Sequence, residues 1–230
     1  MLSDQPTQNQ ILSALPQAVR EELTEAAVPF ALPAGDTIAA AGAPLPSVLF
    51  PTSGVIAGVG TLAGGHEVQV ASIGSEGMIG VSQMLGLSTV TVWMVVQVPA
   101  SGYAIPHDRV ARLFDTSPDF RRAVLAHCGR LLVDLAQSAV CNRFHSHRER
   151  LARWLAVTAA KAMKPSLELT HDFIARMVGG PRHAVTSALQ ELSDGGVIHH
   201  HRGQIEILDH GRLMREACEC AGHATRTTSG

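Results

Sequence analysis

The chain has 230 residues, of which 46% are hydrophobic and 17% are charged, so it can bury a core and is not expected to be disordered. Its first residues are polar without the apolar stretch of a signal peptide, and its longest apolar run, 90–98, is too short to cross a bilayer. The four cysteines do not make a secreted disulfide framework in a chain of this length. We therefore expect a cytoplasmic protein with no membrane partner.

The charge is unevenly distributed along the chain. Residues 1–142 carry six Lys and Arg against eleven Asp and Glu, whereas residues 143–215 carry eleven against seven. The net charge of −2 therefore hides an acidic first part and a basic second part. The basic part is the one that a phosphate backbone would bind.

The first half of the chain predicts a short helical start followed by an antiparallel sheet. Apolar residues at helical spacing over 9–27 indicate two short helices. Glycine and proline then separate β-prone runs at 48–51, 55–62, 67–73 and 89–98. Strands this short and closely spaced predict an antiparallel barrel, roll or sandwich. The segment 74–80 (GSEGMIG) is expected to be a loop that leads into a short helix.

Ser117-Pro118-Asp119 predicts the start of a long helix that ends near residue 142. A capping hydroxyl, proline at the first helical position and an early acid all favour a helix N-terminus. Apolar residues then recur at alternating three- and four-residue spacing, the pattern of a coiled-coil seam. We expect two copies of the chain to pair along this seam; a helix packed on its own domain is the alternative. The predicted seam is Leu125, Cys128, Leu132, Leu135 and Ala139.

The stretch 169–209 predicts a helix, a tight turn, a second helix and a hairpin. Thr170 can cap the first helix, because its hydroxyl can accept from free backbone N–H groups. Gly179-Gly180-Pro181 interrupts that helix, and Gly195-Gly196 ends the second one. Two strand-like segments then surround Arg202-Gly203, where we expect a hairpin turn.

Three small or branched residues in this stretch have the spacing of a helix-turn-helix. Ala175 allows two helices to cross closely, Gly179 makes the turn, and Val185 fills the angle between the helices. With a hairpin after it, this unit is a winged helix, whose second helix enters the major groove of DNA. An ordinary pair of packed core helices is the alternative.

In this order the elements resemble the Crp/Fnr family of bacterial transcription regulators. The resemblance covers about residues 9–210 and rests on LPAGDTIAAAG (32–42), LFPTSGVIAGV (49–59) and IGSEGMIG (73–80), followed by the long helix and the winged helix. It implies an α+β chain with a sensory, cyclic-nucleotide-binding-like β-roll. It also implies a homodimer that binds promoter DNA with two winged helices, and we expect RNA polymerase as a further partner.

The resemblance divides the chain into four parts. We expect a jelly-roll-like sensor with leading helices at 1–116 and a dimerisation helix at 117–142. A winged helix-turn-helix at 143–215 follows, which begins with a helix at about 146–161 and a linker at 163–167. The last part, 216–230, is expected to be a flexible tail.

The resemblance also assigns roles in the second helix of the helix-turn-helix. The family usually has Arg-Glu-(x)3-Arg there, and the matching positions hold Arg182, His183 and Ser187. Arg182 keeps the guanidinium that reads guanine best, whereas the other two differ from the family and imply a different target sequence. Surface residues without a DNA role are the alternative for those two. The candidates for phosphate contacts are Thr170, Thr186 and Arg202.

The expected effector site of the sensor lies in the GSEGMIG loop. Its candidate residues are Glu76, Gly77, Met78 and Gly80. A cyclic-nucleotide pocket of this fold typically uses a Gly-Glu pair and an arginine about ten residues later. Here Gly80 is followed by Val81, and no Lys or Arg lies between Arg20 and Arg109. Burying a phosphate without a cation is costly, so we expect no cyclic AMP response. The sensor responds to an unknown effector or acts without one.

We expect no metal and no cofactor. The iron–sulfur variant of the family needs several N-terminal cysteines, and none precedes Cys128. Cys218, Cys220 and His223 could bind a metal, but three potential ligands in a loose tail are weak grounds for a site. The three histidines 199–201 alternate faces of a wing strand and are expected to contact DNA.

Two other functions remain as alternatives. A cupin-type metal enzyme needs His-x-His and a nearby carboxylate, whereas the β region offers His66, Glu67 and Glu76 alone. We therefore do not expect an enzyme. A helix-turn-helix that binds protein instead of DNA is the second alternative, and the salt dependence of DNA binding distinguishes it.

Overall fold

The structure, a computed structural model, describes residues 8–222 and divides the chain into two compact units. Unit 1 consists of Met1–Gly58 and Ser72–Leu132, and unit 2 of Val59–Ala71 and Val133–Gly230. The segment 59–71 therefore groups with the winged-helix part, although the sequence placed it in the sensor. Mixed helices and sheets confirm the α+β class.

Unit 1 contains most of an antiparallel sheet, whose residues 59–71 are grouped with unit 2, and short helices precede and follow this sheet. The sheet has five strands in the order β1-β5-β3-β4, with β2 also paired to β5. Both β1 and β2 run antiparallel to β5. The elements in chain order are α1 Gln10–Ser13, α2 Gln17–Thr24, β1 Val28–Leu32, β2 Thr37–Ala39, β3 Ser47–Thr61, β4 Glu67–Ile73, α3 Val81–Met84, β5 Trp93–Pro106 and α4 His107–Thr116.

The strand β3 differs from its prediction, because it is one strand of 15 residues and not two short runs. Gly54, which read as a break, lies inside it with a φ of 78°. A Cβ atom at Gly54 would lie 2.2 Å from the carbonyl oxygen of Pro99. The glycine therefore lets the backbone of β5 approach β3, which is the use of glycine within a strand rather than at its end. The strands β1 and β2 and the helix α4 were not predicted.

The core of unit 1 packs the first helices against the sheet and the start of the long helix. Leu12, Phe50 and Phe120 are fully buried in one apolar cluster. A second apolar cluster includes Ile56, Ile79 and Val96, and most of its residues lie on the strands of the sheet. These residues come from segments far apart in the chain, so each cluster stabilises the fold rather than one element.

Asn9 connects the N-terminal helix to the sheet through four hydrogen bonds. The residue is fully buried, and its Nδ2 donates to the carbonyl oxygens of Pro51 and Gly77 at 2.8 Å each. Its Oδ1 accepts from the backbone N–H groups of Ile11 and Leu12 at 3.1 and 3.2 Å, so it also caps α1. Every bonding group of this amide therefore has a partner.

The α5 helix, Pro118–Phe144, has 27 residues. Its start is confirmed, because the Phe120 backbone N–H donates to Ser117 Oγ at 3.3 Å. Leu125, Leu132, Leu135 and Ala139 of the predicted seam are at least partly exposed. Cys128 requires a correction: it is 9% exposed and packs in the unit 1 core beside Phe120 and Val124. The repeat of apolar residues in the sequence predicts that these positions are covered. It does not show which of them pack in the helix's own domain and which stay exposed.

Unit 2 contains a second, three-stranded sheet in the order β6-β8-β7. Both strand pairs are antiparallel. The helix α6 begins with a capping box, in which Ser146 and Glu149 bond reciprocally. The elements after α5 are α6 His147–Ala162, β6 Ser166–Glu168, α7 His171–Val178, α8 Arg182–Asp194, β7 Ile198–His201, β8 Gln204–Ile207 and α9 His210–Glu216.

Unit 2 differs from the expectation at two places. Part of the predicted linker is the strand β6, whose three residues pair with β8 but are too few for a readable alternation. The helix α9 ends at Glu216, where the predicted tail begins, but Cys218 and Cys220 in that tail are only 3% and 1% exposed. His223 and the rest of 223–230 lie outside the described residues.

Replacing Asn9 with alanine should destabilise unit 1 by about 2–4 kcal/mol, because two buried carbonyls and two helix N–H groups lose their partners. Chemical denaturation of the full chain, followed by circular dichroism, measures this loss. Gln10→Ala is the matched control, since Gln10 is exposed and its change should cost less than about 0.5 kcal/mol. Equal losses in both variants would contradict the role of Asn9.

Candidate nucleic-acid interface

The helix α7 begins and ends as the sequence predicts. The Phe173 backbone N–H donates to Thr170 Oγ1 at 3.2 Å, so Thr170 is the N-cap. Gly179 ends the helix with a φ of 70°, a conformation that L side chains rarely adopt. Thr170 is itself exposed, so its hydroxyl can still donate to a phosphate at this helix end.

The turn between α7 and α8 is compact. The N–H groups of Gly179 and Gly180 both donate to the Ala175 carbonyl, at 3.0 and 3.2 Å. A Cβ atom at Gly180 would lie 2.4 Å from the ring of His147 on α6, so this position has no space for a side chain. Val185 is fully buried and Ala175 is 7% exposed. The helix-turn-helix spacing is therefore confirmed.

The side chain of Arg150, on α6, stabilises this turn by hydrogen bonds. Its guanidinium donates to the carbonyl oxygens of Val178 and, at 2.8 Å, Gly179. These carbonyls lie at the end of α7, where intrahelical donors are missing. No sequence pattern identifies this residue, because a charged side chain on a helix gives no sign of which distant carbonyl it will reach.

The helix α8 has one buried face and one exposed face. The buried face consists of Val185, Ala188, Leu189 and Leu192. The exposed face carries polar side chains at a spacing that places them on one side of the helix. Its members are Arg182, His183, Thr186, Ser187 and Gln190. Gln190 is not among the residues predicted from the sequence, because it lies outside the family's base-reading positions.

The three predicted base-reading residues lie together on this exposed face. Arg182 Nε is 3.2 Å from Asp172 Oδ1 on α7, and both side chains are about two thirds exposed. An exposed ion pair of this kind contributes about 0–1 kcal/mol, so DNA can displace it at little cost. Ser187 Oγ donates to Glu191 Oε1 at 3.3 Å. His183 is exposed in the first turn of α8.

The predicted phosphate-contacting residues lie on three elements. Thr170 caps α7, and Thr186 is on the exposed face of α8, with its Oγ1 3.3 Å from His171 Nδ1. Arg202 is on the turn of the wing, where it and Gly203 have φ values of 42° and 83°. Two successive positive φ values fit a two-residue hairpin turn. Arg202 is exposed at the tip of the wing.

Two histidines near the turn have lowered pKa values. Burial is the main cause of the lowered pKa of His171, followed by the proximity of His200, whose ring centroid lies 5.7 Å from that of His171. Burial and then the charge of Arg150 lower the pKa of His147. The lowered pKa values favour the neutral form of both rings, and His171 Nδ1 shares a hydrogen bond with Thr186 Oγ1 at 3.3 Å.

The predicted effector residues are packed among protein atoms of unit 1. Both carboxylate oxygens of Glu76 accept from the Gly74 N–H, at 3.0 and 3.1 Å. Met78 is fully buried, and its backbone N and O lie 3.3 and 3.1 Å from His127 Nε2. A Cβ atom at Gly77 would lie 2.5 Å from the same ring. Gly80, which has a φ of 107°, is buried against Leu45 and Val48.

We expect Arg150→Ala to reduce the unfolding free energy of unit 2 by about 1.5–3 kcal/mol, because two carbonyls at the end of α7 lose a charged donor. Arg176→Ala is the control: Arg176 is also on the helix-turn-helix, but its 3.3 Å pair with Glu67 is partly exposed. That variant should lose less than about 1 kcal/mol. Thermal unfolding measures the stability of both variants and of Arg150→Lys, which keeps the charge. Equal losses of stability for Arg150→Ala and Arg176→Ala would contradict the role of Arg150 at this turn.

Comparison with known proteins agrees with this geometry. Residues 149–216 match the Crp-like helix-turn-helix domain. The fold is similar to that of a Crp/Fnr family transcriptional regulator from Eubacterium rectale, with 18% identity and a TM-score of 0.71, covering 91% of this chain and 98% of that one. FixK2 from Bradyrhizobium japonicum gives 16% identity and a TM-score of 0.71, covering 84% and 98%.

The c-di-GMP responsive regulator CLP from Xanthomonas campestris gives 19% identity and a TM-score of 0.69, covering 84% of this chain and all of that one. Identities this low show a shared fold and not a shared ligand. A search of curated proteins found no match. The chain therefore contains a Crp-like helix-turn-helix domain at residues 149–216, and it has the fold of Crp/Fnr family regulators.

Proposed function

We propose that this protein acts as a cytoplasmic homodimer that binds near-palindromic promoter DNA and regulates transcription. The two-sided character of α8 is the observation that supports this proposal. This helix buries its apolar face inside a Crp-like helix-turn-helix domain and exposes a continuous polar face beginning at its first residue. In such domains the second helix enters the major groove with its N-terminal residues against the base edges.

Arg182, His183 and Ser187 read bases from that face. Arg182 leaves its exposed pair with Asp172 and donates two N–H groups to a guanine, which is the most frequent specific contact in DNA complexes. Ser187 exchanges Glu191 for a base or a water. Gln190, one turn after Thr186 on the same face, is an additional candidate, because a glutamine amide can bind adenine through two hydrogen bonds.

Thr170, Thr186 and Arg202 position the domain on the phosphate backbone. Thr170 lies at the N-terminus of α7, where backbone N–H groups and the helix dipole favour an anion. Arg202 extends the contact to the wing. The excess of basic residues over 143–215 supports a duplex partner rather than a basic protein surface, because like charges would repel the latter.

The exposed side of α5 is the proposed dimer seam. Leu125, Leu132 and Leu135 are 49%, 67% and 40% exposed, although apolar side chains aligned in this way are normally covered. The stripe continues through Ala139 and excludes Cys128. The helix is also long and apolar enough to cross a membrane. However, Phe120, Val124 and Cys128 on its other side pack in the core of unit 1, which favours a second copy over lipid.

The sensor does not use cyclic AMP under this proposal. Val81 replaces the expected glutamate, and the sequence has no Lys or Arg between Arg20 and Arg109. The sensor responds to an effector of another chemical class or acts without one, and RNA polymerase is a further partner. Genome-wide mapping of binding sites tests the regulatory role directly, because the target genes indicate the signal.

The structure also bears on the cupin alternative. Glu67 pairs with Arg176 at 3.3 Å, and Glu76 is bound to the Gly74 N–H. Glu67 and Glu76, two of the three possible metal ligands in the β region, are therefore bound to other protein groups. We propose no catalytic role for this region.

Arg182→Ala should reduce affinity for the cognate site by about 1–3 kcal/mol and relax the preference at one base pair. Arg202→Ala should instead weaken binding similarly at all sequences and reduce the salt slope by about one. Arg122→Ala in unit 1, which removes the same charge from an exposed pair with Asp119, is the control. Quantitative mobility shifts over a library of site variants and several salt concentrations measure all three. Unchanged affinity and base preference in Arg182→Ala would contradict its role, and a chain that binds no duplex DNA would favour the protein-binding alternative.

Leu132→Glu should convert the dimer to a monomer, because it places a charge in the centre of the proposed seam. Affinity for a palindromic site should fall at least about tenfold, since the two winged helices of the dimer no longer bind the site together. Leu62→Glu is the matched control: this leucine is 70% exposed, against 67% for Leu132, but lies on the segment between β3 and β4. Sedimentation velocity reports the mass; a dimer that persists in Leu132→Glu would show that the seam is elsewhere.

A further inference from the structure

Four side chains that the DNA-binding proposal does not use converge within unit 2. Cys141 is on α5, His145 follows the end of that helix, and Cys218 and Cys220 follow α9. The Sγ atoms of Cys141 and Cys218 are 3.5 Å apart, and Cys220 Sγ is 3.7 Å from His145 Nδ1. One donor atom from each of the four lies within 4.8 Å of the others. The sequence counted three possible ligands in a tail, because it could not show that Cys141 and His145 join them.

These separations fit a tetrahedron around one ion. Zinc binds cysteine sulfur at about 2.3 Å and histidine nitrogen at about 2.0–2.1 Å in tetrahedral sites, which gives edges of about 3.8 Å between sulfurs and about 3.6 Å between sulfur and nitrogen. A disulfide would need about 2.05 Å, so the 3.5 Å sulfur pair is not one, and all four cysteines are free. An iron–sulfur cluster spreads its ligands around several metal atoms, so donors this close together suit a single ion.

The surroundings are those of a metal site rather than of a chance contact. The three thiols are 1–3% exposed, and the His145 side chain is 12% exposed. His145 Nε2 is 3.2 Å from Glu219 Oε2, so the carboxylate can hold the ring with Nδ1 facing the sulfurs. Metal-binding histidines usually have such a partner on the second nitrogen. Gln137 Nε2 donates to Cys220 Sγ at 2.7 Å.

Nearby positive charges compensate the negative charge that this donor set would carry. The positively charged guanidinium groups of Arg150 and Arg153 on α6 lie near Cys141. Three thiolates and one divalent cation leave one excess negative charge, which two guanidinium groups can balance. Without such cations, a buried anionic centre would be costly.

We propose that Cys141, His145, Cys218 and Cys220 form a zinc site that fastens the segment after α9 to the end of α5. Soft thiolates and an imidazole in tetrahedral arrangement select zinc over magnesium or calcium. All four positions are protein ligands, so the site is structural and has no open position for catalysis. The proposal replaces the expectation from the sequence that no metal is bound, and it does not rest on the DNA-binding role.

A bound ion would stabilise the unit that contains α8, the proposed base-reading helix. Arg148 on α6 pairs with Glu191 on α8 at 3.2 Å and with Glu216 on α9 at 2.6 Å. The segment that the metal fastens is therefore connected to α8 through α9 and one arginine. Because metal binding to a folded site adds directly to folding stability, loss of the ion should loosen this connection.

The test uses the full-length protein in reducing buffer, after removal of metal with a chelator and a count of four free thiols. Titration with Co2+ should give the intense visible bands of tetrahedral thiolate coordination, saturating at about one ion per chain, and Zn2+ should displace them. Zinc should also raise the Tm. Cys220→Ser and His145→Gln should lose the bands and most of the shift in Tm. Cys128→Ser, which changes the cysteine outside the cluster, should keep both.

The proposal is overturned by wild-type protein that folds with four free thiols but gives no tetrahedral cobalt bands and no zinc-dependent shift in Tm. It is also overturned if Cys220→Ser and His145→Gln bind cobalt as Cys128→Ser does. Circular dichroism shows whether each variant is folded. If Cys220→Ser does not fold, His145→Gln decides the outcome, because its side chain is more exposed than the thiols and its loss leaves the buried cysteines in place.

Discussion

The DNA-binding part of this protein depends on the close crossing of α7 and α8 at Gly179-Gly180. Both glycine N–H groups share the Ala175 carbonyl, and the ring of His147 fills the space that a side chain at Gly180 would need. Arg150 supplies donors to the last carbonyls of α7. Buried carbonyls without donors destabilise a fold, so one guanidinium on α6 helps to fix the angle at which α8 presents its polar face.

The long helix α5 has apolar side chains on two sides for two different reasons. Phe120, Val124 and Cys128 are buried in unit 1, whereas Leu125 and Leu132 are exposed. A helix that is apolar nearly all round is normally covered nearly all round. Within residues 8–222, the chain leaves the side of α5 with Leu125 and Leu132 exposed, and this incomplete burial is the physical basis for proposing a second copy.

The end of the described chain links the metal hypothesis to the reading helix. The predicted flexible tail contains two buried cysteines directly after α9. Arg148 joins α9 to α8 through Glu216 and Glu191, so an ion held by Cys218 and Cys220 would act on the same set of contacts that supports α8. The wing, α8 and the segment after α9 therefore belong to one compact unit.

The sequence alone determined the features that depend on neighbouring residues. The caps at Ser117 and Thr170, the glycine turn at Gly179 and the Ala175–Val185 spacing are local signals, because each concerns a bond or a contact within a few helical turns. The polar face of α8 follows from helical periodicity in the same way. These signals, together with the family resemblance, sufficed for the fold class, the winged helix and the three base-reading candidates.

Only the tertiary structure decided the contacts between distant segments. It used Gly54 to admit the backbone of β5 rather than to end a strand, and it turned Cys128 toward the core rather than the seam. It also placed Cys141 beside Cys218, 77 residues away. No local pattern encodes such pairings, since they depend on how whole elements pack. Local patterns therefore predicted the reading helix, but neither its support by Arg150 nor the four-ligand cluster.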